Sequence, residues 1–162
     1  MRPRLSNPVE AITRSLRVLL VAKRQHMRKL VRGLLVNVGI KKIDEAADGI
    51  AGIEAIKAFD PDVVILDWDL PLLNGPEVVR IIRAPGAFGR PGLPIIMVGA
   101  SASRRRVAEA QRLGVDSFVV LPMSAKMLLD RIMSAVANAR RAQEAERAQQ
   151  RGGAPPAAVL MA

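Results

Sequence analysis

Cysteine and tyrosine are absent from the 162 residues, and tryptophan, histidine and phenylalanine number one, one and three. Without thiols there is neither a disulfide framework nor a thiolate metal site, which fits a reducing compartment, so the expectation is a cytoplasmic protein. With so few aromatics, the stacking platforms used by readers of single-stranded nucleic acid are missing. His26 has no second histidine or cysteine with which to share a metal and reads as part of a basic helical turn. Long apolar runs are missing too. Runs such as Val63 to Leu66 and Pro94 to Val98 fall far short of the roughly 20 residues that a spanning helix needs. The basic amino terminus is broken by prolines and leads into no apolar segment, which argues against a secretory signal.

What is present points to a single domain with a proper core: half of the residues are apolar. The formal charge of +10 favours an acidic partner, whether protein, nucleic acid or membrane surface, without choosing among them.

The apolar pattern alternates between two periods. Val18–Val21, Lys42–Ala46, Val63–Leu66, Pro94–Val98 and Ser117–Leu121 read as strands. Between them the spacing of Met27, Leu30, Val31, Leu34, Leu35 and Val38 predicts an amphipathic helix ending at Gly39, and Ile50 to Phe59 a second. Pro76 opens a third helix over Val78–Ile82. Arg104 to Leu113 predicts a fourth, closed by Gly114. Ser124 caps a fifth, with Leu128, Leu129, Ile132, Met133 and Val136 on its buried face. Good helix formers continue to about Gln150 with little to bury, so this helix is expected to project. The expected organisation is an arm over residues 1–15 with about one helical turn, a domain over 16–140, and a helical extension with a frayed tail over 141–162. Too few residues follow the domain for a DNA-binding helix-turn-helix.

Five strands alternating with five helices imply a three-layer α/β/α sandwich on a five-stranded parallel sheet. Ligands bind such sheets at the carboxyl ends of the strands, which makes Asp67, Ala22 and Lys23 the candidate cleft residues. Trp68, beside them, is expected at the solvent edge.

Several short motifs lie in order along the chain: Arg17-Val-Leu-Leu-Val21, Met27-Arg28, Ala47-Asp-Gly49, Pro61-Asp-Val-Val-Ile-Leu-Asp67, Leu70-Pro71 with Asn74-Gly75, Pro94-Ile-Ile-Met-Val98, Gly114-Val-Asp116 and Pro122. In order and spacing they resemble the response-regulator receiver domain, the CheY-like, flavodoxin-type module of two-component signalling, over roughly residues 16–139. The resemblance implies strand order 2-1-3-4-5 and places Asp67 at the family's phosphoacceptor position, with Asp69 at the carbonyl that helps to bind magnesium. The family's acidic pair falls on Ala22 and Lys23, its switch Ser/Thr on Gly99, its phosphate-binding lysine on Leu121, and its switch aromatic on Phe118.

At about 5 Å and an effective dielectric near 20, each unit charge is worth roughly 3 kcal/mol to a neighbouring cation. Two expected negative charges have become one positive, so magnesium-dependent phosphotransfer to Asp67 is expected to be weak or absent and no cofactor is expected. Asp69 is the one substitute ligand, and Mg²⁺ enters only with a working acceptor. Lys23 is placed to pair with Asp67.

The expected function is that of a non-enzymatic, stand-alone receiver-like protein acting through protein–protein contact with a degenerate pocket. One alternative is a receiver phosphorylated on Asp67 by a histidine kinase or phosphotransfer protein with Mg²⁺. A second is a basic adaptor for nucleic acid or an acidic surface. Partners are a histidine kinase, a phosphotransfer protein or a downstream effector, with Arg104, Arg105, Arg106 and Arg112 as candidate contacts. The row Arg24, Arg28, Arg32 reads first as a solvated face. A stripe of Ala135, Val136, Ala139, Ala142 and Ala145 suggests a homodimer through the last helix.

Overall fold

The computed structural model describes residues 7–86 and 88–152. Residues 1–6 of the expected arm and the expected tail from 153 onward lie outside them. In order, the elements are α1 (Pro8–Ser15), β1 (Arg17–Val21), α2 (Gln25–Asn37), β2 (Lys42–Ala46), α3 (Gly49–Phe59), β3 (Val63–Asp67), α4 (Gly75–Arg83), β4 (Ile95–Gly99), α5 (Arg104–Leu113), β5 (Ser117–Val120) and α6 (Ala125–Gly152). All strand pairs are parallel and the sheet order is β2-β1-β3-β4-β5, as the resemblance implied.

The continuous apolar runs form strands because both faces of the sheet are covered, and the period-2 pleat then divides each run between two cores. Leu19, Val21, Val64, Leu66, Ile95 and Met97 pack with Ile56, Val78, Val79, Ile82 and Ala110 of α3, α4 and α5. Val18, Leu20, Val63, Ile65, Ile96 and Val98 pack with Val31, Leu35, Leu128, Ile132 and Val136 of α2 and α6. Only the outer strands break the pattern, since β2 (Lys-Ile-Asp-Glu-Ala) keeps most side chains in solvent.

Local signals start and stop the helices as their chemistry dictates. Asp48 accepts from the Ala51 N–H, Asn74 from that of Glu77, Ser103 from that of Arg106, and Ser124 from that of Met127. Gly114 closes α5 at φ +83°. Arg83 pins the 84–94 loop, donating to the carbonyls of Gly114 and Pro91, while Asp116 accepts from the N–H of Ile95 and so anchors the start of β4.

Two expectations change. Residues 8–15 form two helical turns instead of one, because Asn7 caps the Val9 N–H, Pro8 begins the helix, and Thr13 is buried with its hydroxyl on the Glu10 carbonyl. The alanine stripe on α6 is also divided. Ala135 and Val136 are used in the protein's own core, Ala139 is half-buried, and every side chain from Arg140 to Gly152 is exposed.

Gly75 holds the loop after β3 against the sheet. Its N–H donates to the Trp68 carbonyl at 2.9 Å. A Cβ there would stand 2.6 Å from both the Asp67 carbonyl oxygen and the Met97 Cε. Gly75→Ala is therefore expected to cost about 2–3 kcal/mol, read as a lower urea midpoint. Gly33→Ala, in the interior of α2 where nothing lies within 4 Å of the added carbon, is expected to gain about 0.5–1 kcal/mol.

Candidate functional site

The carboxyl ends of β1 and β3 lie side by side, Val21 opposite Leu66, so the next residues along, Ala22 and Asp67, flank one opening. A cleft of about 360 Å³ lies above them. Lys23, Arg24 and Met27 line one side, Asp69, Leu70, Pro71 and Asn74 another, and Ala100 also lines it, with Asp67 contributing to the same lining.

Asp67 is only 6% exposed. Its Oδ1 accepts the Asp69 N–H at 3.3 Å. Burial pushes its carboxyl above the usual range and the Asp69 charge adds to this, while the amides of Asp69 and Trp68 and the charge of Arg24 oppose it. The expected Lys23–Asp67 ion pair does not form: among the described residues no cation comes within ion-pair distance of Asp67. Lys23 keeps its ammonium in solvent, where its hydration is intact, and Asp67 is served by a loop amide.

Asp69 has a partner that sequence order does not suggest. Arg106, on the first turns of α5, donates Nη1 to Asp69 Oδ2 and Nη2 to Oδ1, both at 3.2 Å. The same guanidinium lies over Trp68, 5.2 Å from the ring centroid. Trp68 is not the expected solvent-edge residue. It is 9% exposed, because the apolar core between the sheet and α3, α4 and α5 takes it in, and it meets Phe118 at 6.1 Å between centroids and 54° between planes. Phe118 in turn rests against Gly99, where an added Cβ would stand 3.4 Å from its Cζ. A larger side chain at 99 would press on that ring.

The β1–α2 connection is closed by another arginine. Arg28 donates Nη1 to the carbonyls of Ala22 (2.6 Å) and Lys23 (3.0 Å) and lies 3.7 Å from Glu45, which also pairs with Arg32 at 3.0 Å. The arginine row on α2 is thus only partly a solvated face. Leu121, where the resemblance implied a lysine, is half-buried against the apolar core on the α2/α6 side, and its N–H donates to the Gly99 carbonyl at 3.1 Å. Of the four candidate contacts on α5, Arg104, Arg105 and Arg112 are exposed, whereas Arg106 turns back to the cleft wall. Sequence reasoning named Arg28 and Arg106 but not the groups they hold, and it missed the nearness of Arg24 to Asp67. The available signal was charge against local expectation: cations in the first turns of α2 and α5, where the helix dipole disfavours them.

This donor set does not suit a hard divalent cation. Such an ion needs several oxygens, but Arg106 takes the Asp69 carboxylate, Arg28 takes the Ala22 and Lys23 carbonyls, and Lys23 and Arg24 bring positive charge.

The profile of the response regulator receiver domain matches residues 18–133. The chain belongs to the response-regulator receiver family. This receiver domain is 32% identical over 125 residues to the chemotaxis protein CheY-3 of Vibrio cholerae, covering 76% of this chain and 95% of the relative. It is 31% identical over 117 residues to the chemotaxis protein CheY of Pseudomonas aeruginosa, covering 72% and 93%. Among solved structures, Vibrio cholerae CheY4 superposes with a TM-score of 0.65 at 25% identity, covering 74% and 98%. NtrX from Brucella abortus shares the fold with a TM-score of 0.74 at 24% identity, over 87% of this chain and 31% of that one. Receiver domains are signalling modules that interact with histidine kinases or other proteins. Among the described residues of this receiver domain, no helix is long and apolar enough to cross a membrane.

The raised carboxyl of Asp67 gives a signed expectation. The folded chain binds this proton more readily than the unfolded chain does, so the group disfavours folding increasingly as pH rises from near 3.8 through the folded value. Asp67→Asn keeps an acceptor for the Asp69 N–H and removes that cost. Its urea midpoint is expected above the parent's at pH 7 and to converge on it toward pH 3.8. An unchanged midpoint at pH 7 would contradict this.

Proposed function

We propose that this receiver domain acts in two-component signalling as a protein-interaction module with a degenerate acceptor pocket, its partner face set without phosphoryl transfer to Asp67. The observation that carries this reading is the two-pronged engagement of Asp69 by Arg106. That contact joins the loop after β3 to α5 and covers Trp68, and with Gly99 there is no hydroxyl at the end of β4 to follow a phosphoryl group. Whatever position α5 takes, a standing ion pair supplies it rather than a chemical event. Magnesium has no place in this reading.

The surface beyond α5 suits an acidic protein. Arg104, Arg105 and Arg112 are exposed on that helix, and Val120 of β5 and Met127 of α6 are exposed apolar residues. A histidine kinase, a phosphotransfer protein or a downstream effector would supply the acidic face. The relatives above 30% identity are chemotaxis proteins, which supports motility-type signalling as the setting.

A second reading, phosphorylation of Asp67 by a histidine kinase or phosphotransfer protein with Mg²⁺, draws on one observation: Asp67 keeps its place in an open cleft. Trp68 is the only tryptophan and sits between Asp67 and Arg106, so its fluorescence separates the two readings. Titration with magnesium and then with a phosphoryl mimic is expected to leave the emission unchanged; a saturable response that Asp67→Asn abolishes would establish the second reading instead. Arg106→Ala should free Asp69, shift the Trp68 emission to the red, and cost about 1 kcal/mol in urea unfolding, the scale of one partly exposed ion pair with a cation–π contact.

A further inference from the structure

We infer that the groove between α1 and α6 docks an amphipathic helix with acidic flanks from a partner protein, on a second surface that involves neither Asp67 nor α5. Ile12 of α1 and Met133, Val136, Ala137, Arg140 and Arg141 of α6 line a groove of about 380 Å³. Its floor is apolar: Val136 is buried, and Ile12 and Met133 are half-buried. Val9, one turn before Ile12 on the same side of α1 and 42% exposed, continues the apolar line along that helix. Of the six lining residues only Met133 falls within 18–133, the span that the receiver profile matches, so the groove is an addition to the receiver domain and not part of it. α6 packs on the sheet face opposite α5, and α1 ends just before β1 begins. The groove therefore sits toward the amino ends of the strands, away from the cleft.

Charge selects the occupant. The charged side chains that line the groove are Arg140 and Arg141; both are exposed, and neither forms an ion pair among the described residues. The chain itself supplies no acidic match. Residues 1–6 carry two arginines and no carboxylate side chain, and residues 153–162 carry no charged side chain. A second copy would bring the exposed end of α6, with Arg140, Arg141, Arg147 and Arg151 against Glu144 and Glu146, on a chain of formal charge +10. Like charges brought together in this way oppose docking, whereas Glu or Asp flanking an incoming apolar stripe meets both guanidiniums at the rim. A helix is the matching shape, because apolar side chains recurring at i, i+3, i+4 and i+7 seat between two helices already in place. An anionic membrane fits less well, since insertion takes an apolar face that protrudes, and here the large apolar side chains lining the groove are buried or half-buried.

The test is fluorescence anisotropy of a labelled helical peptide of about four turns, built of leucine at that spacing with glutamate elsewhere, titrated with the full chain. Saturable binding is expected, and a peptide with lysine in place of glutamate is expected not to bind. Arg140→Glu/Arg141→Glu should weaken binding about ten-fold or more. Arg104→Glu/Arg105→Glu, which makes the same charge change on α5, should leave it unchanged. Ala137→Trp, which fills the groove from an exposed position and leaves the core intact, should block it. No binding of the glutamate peptide, equal weakening by the two charge reversals, or undiminished binding by Ala137→Trp would each overturn the proposal. So would phosphatidylglycerol vesicles or duplex DNA bound through Arg140 and Arg141 in place of the peptide, which would assign the groove to lipid or nucleic acid. Each of these results leaves the reading of the α5 face standing.

Discussion

β3 is flanked by β1 and β4 on its edges and covered by helices on both faces, and this double enclosure fixes what its carboxyl end can be. A strand buried on both faces has to be apolar throughout, so the first carboxylate along it appears only where the sheet gives out. That places Asp67 beside the end of β1 and against the loop Trp68–Gly75, which leaves no room for a side chain at Gly75. The cleft follows from backbone geometry, and the chemistry depends on which side chains surround it.

Four cations stand at or next to the cleft. Arg28 satisfies the carbonyls where the chain leaves β1, Arg106 takes the one exposed carboxylate of the opposite wall, and Lys23 and Arg24 stand at the opening. Each changes the local balance in one direction. The effect is largest next to a buried group, where charges are screened least, and Asp67 is the buried group. A site built to hold a metal places negative charge around a hole. Here the same backbone carries positive charge beside one buried carboxylate.

From that cleft a chain of contacts runs to α5 and back into the core: Asp69 to Arg106, Arg106 over Trp68, Trp68 to Phe118, and Phe118 against Gly99. Every link is a packing or charge contact between groups already in place. The Phe118 ring lies against Gly99 and backs the tryptophan that carries the arginine. This physical link between the cleft and α5 needs no moving part.

The sequence by itself determined the strand and helix types, the parallel sheet with its order through the resemblance, and the place of Asp67, because burial on two faces writes long apolar runs and helical faces write a 3.6-residue period. Ala22, Gly99 and Leu121 are counted along strands in the same way, and each stands at or just past the carboxyl end of one. What only the tertiary structure decided were contacts between distant segments. Arg106 and Asp69 lie 37 residues apart, so no local pattern announces their pairing. Lys23 was one residue from a strand end and looked like the natural partner of Asp67, yet an exposed ammonium loses hydration by turning inward, and it stayed out. The same holds for Trp68, whose burial depended on Phe118 arriving from β5, and for Arg28, whose role depended on where two carbonyls of the preceding turn were aimed. Periodicity records which face is covered; only the folded chain records which charged group ends up within 4 Å of which other.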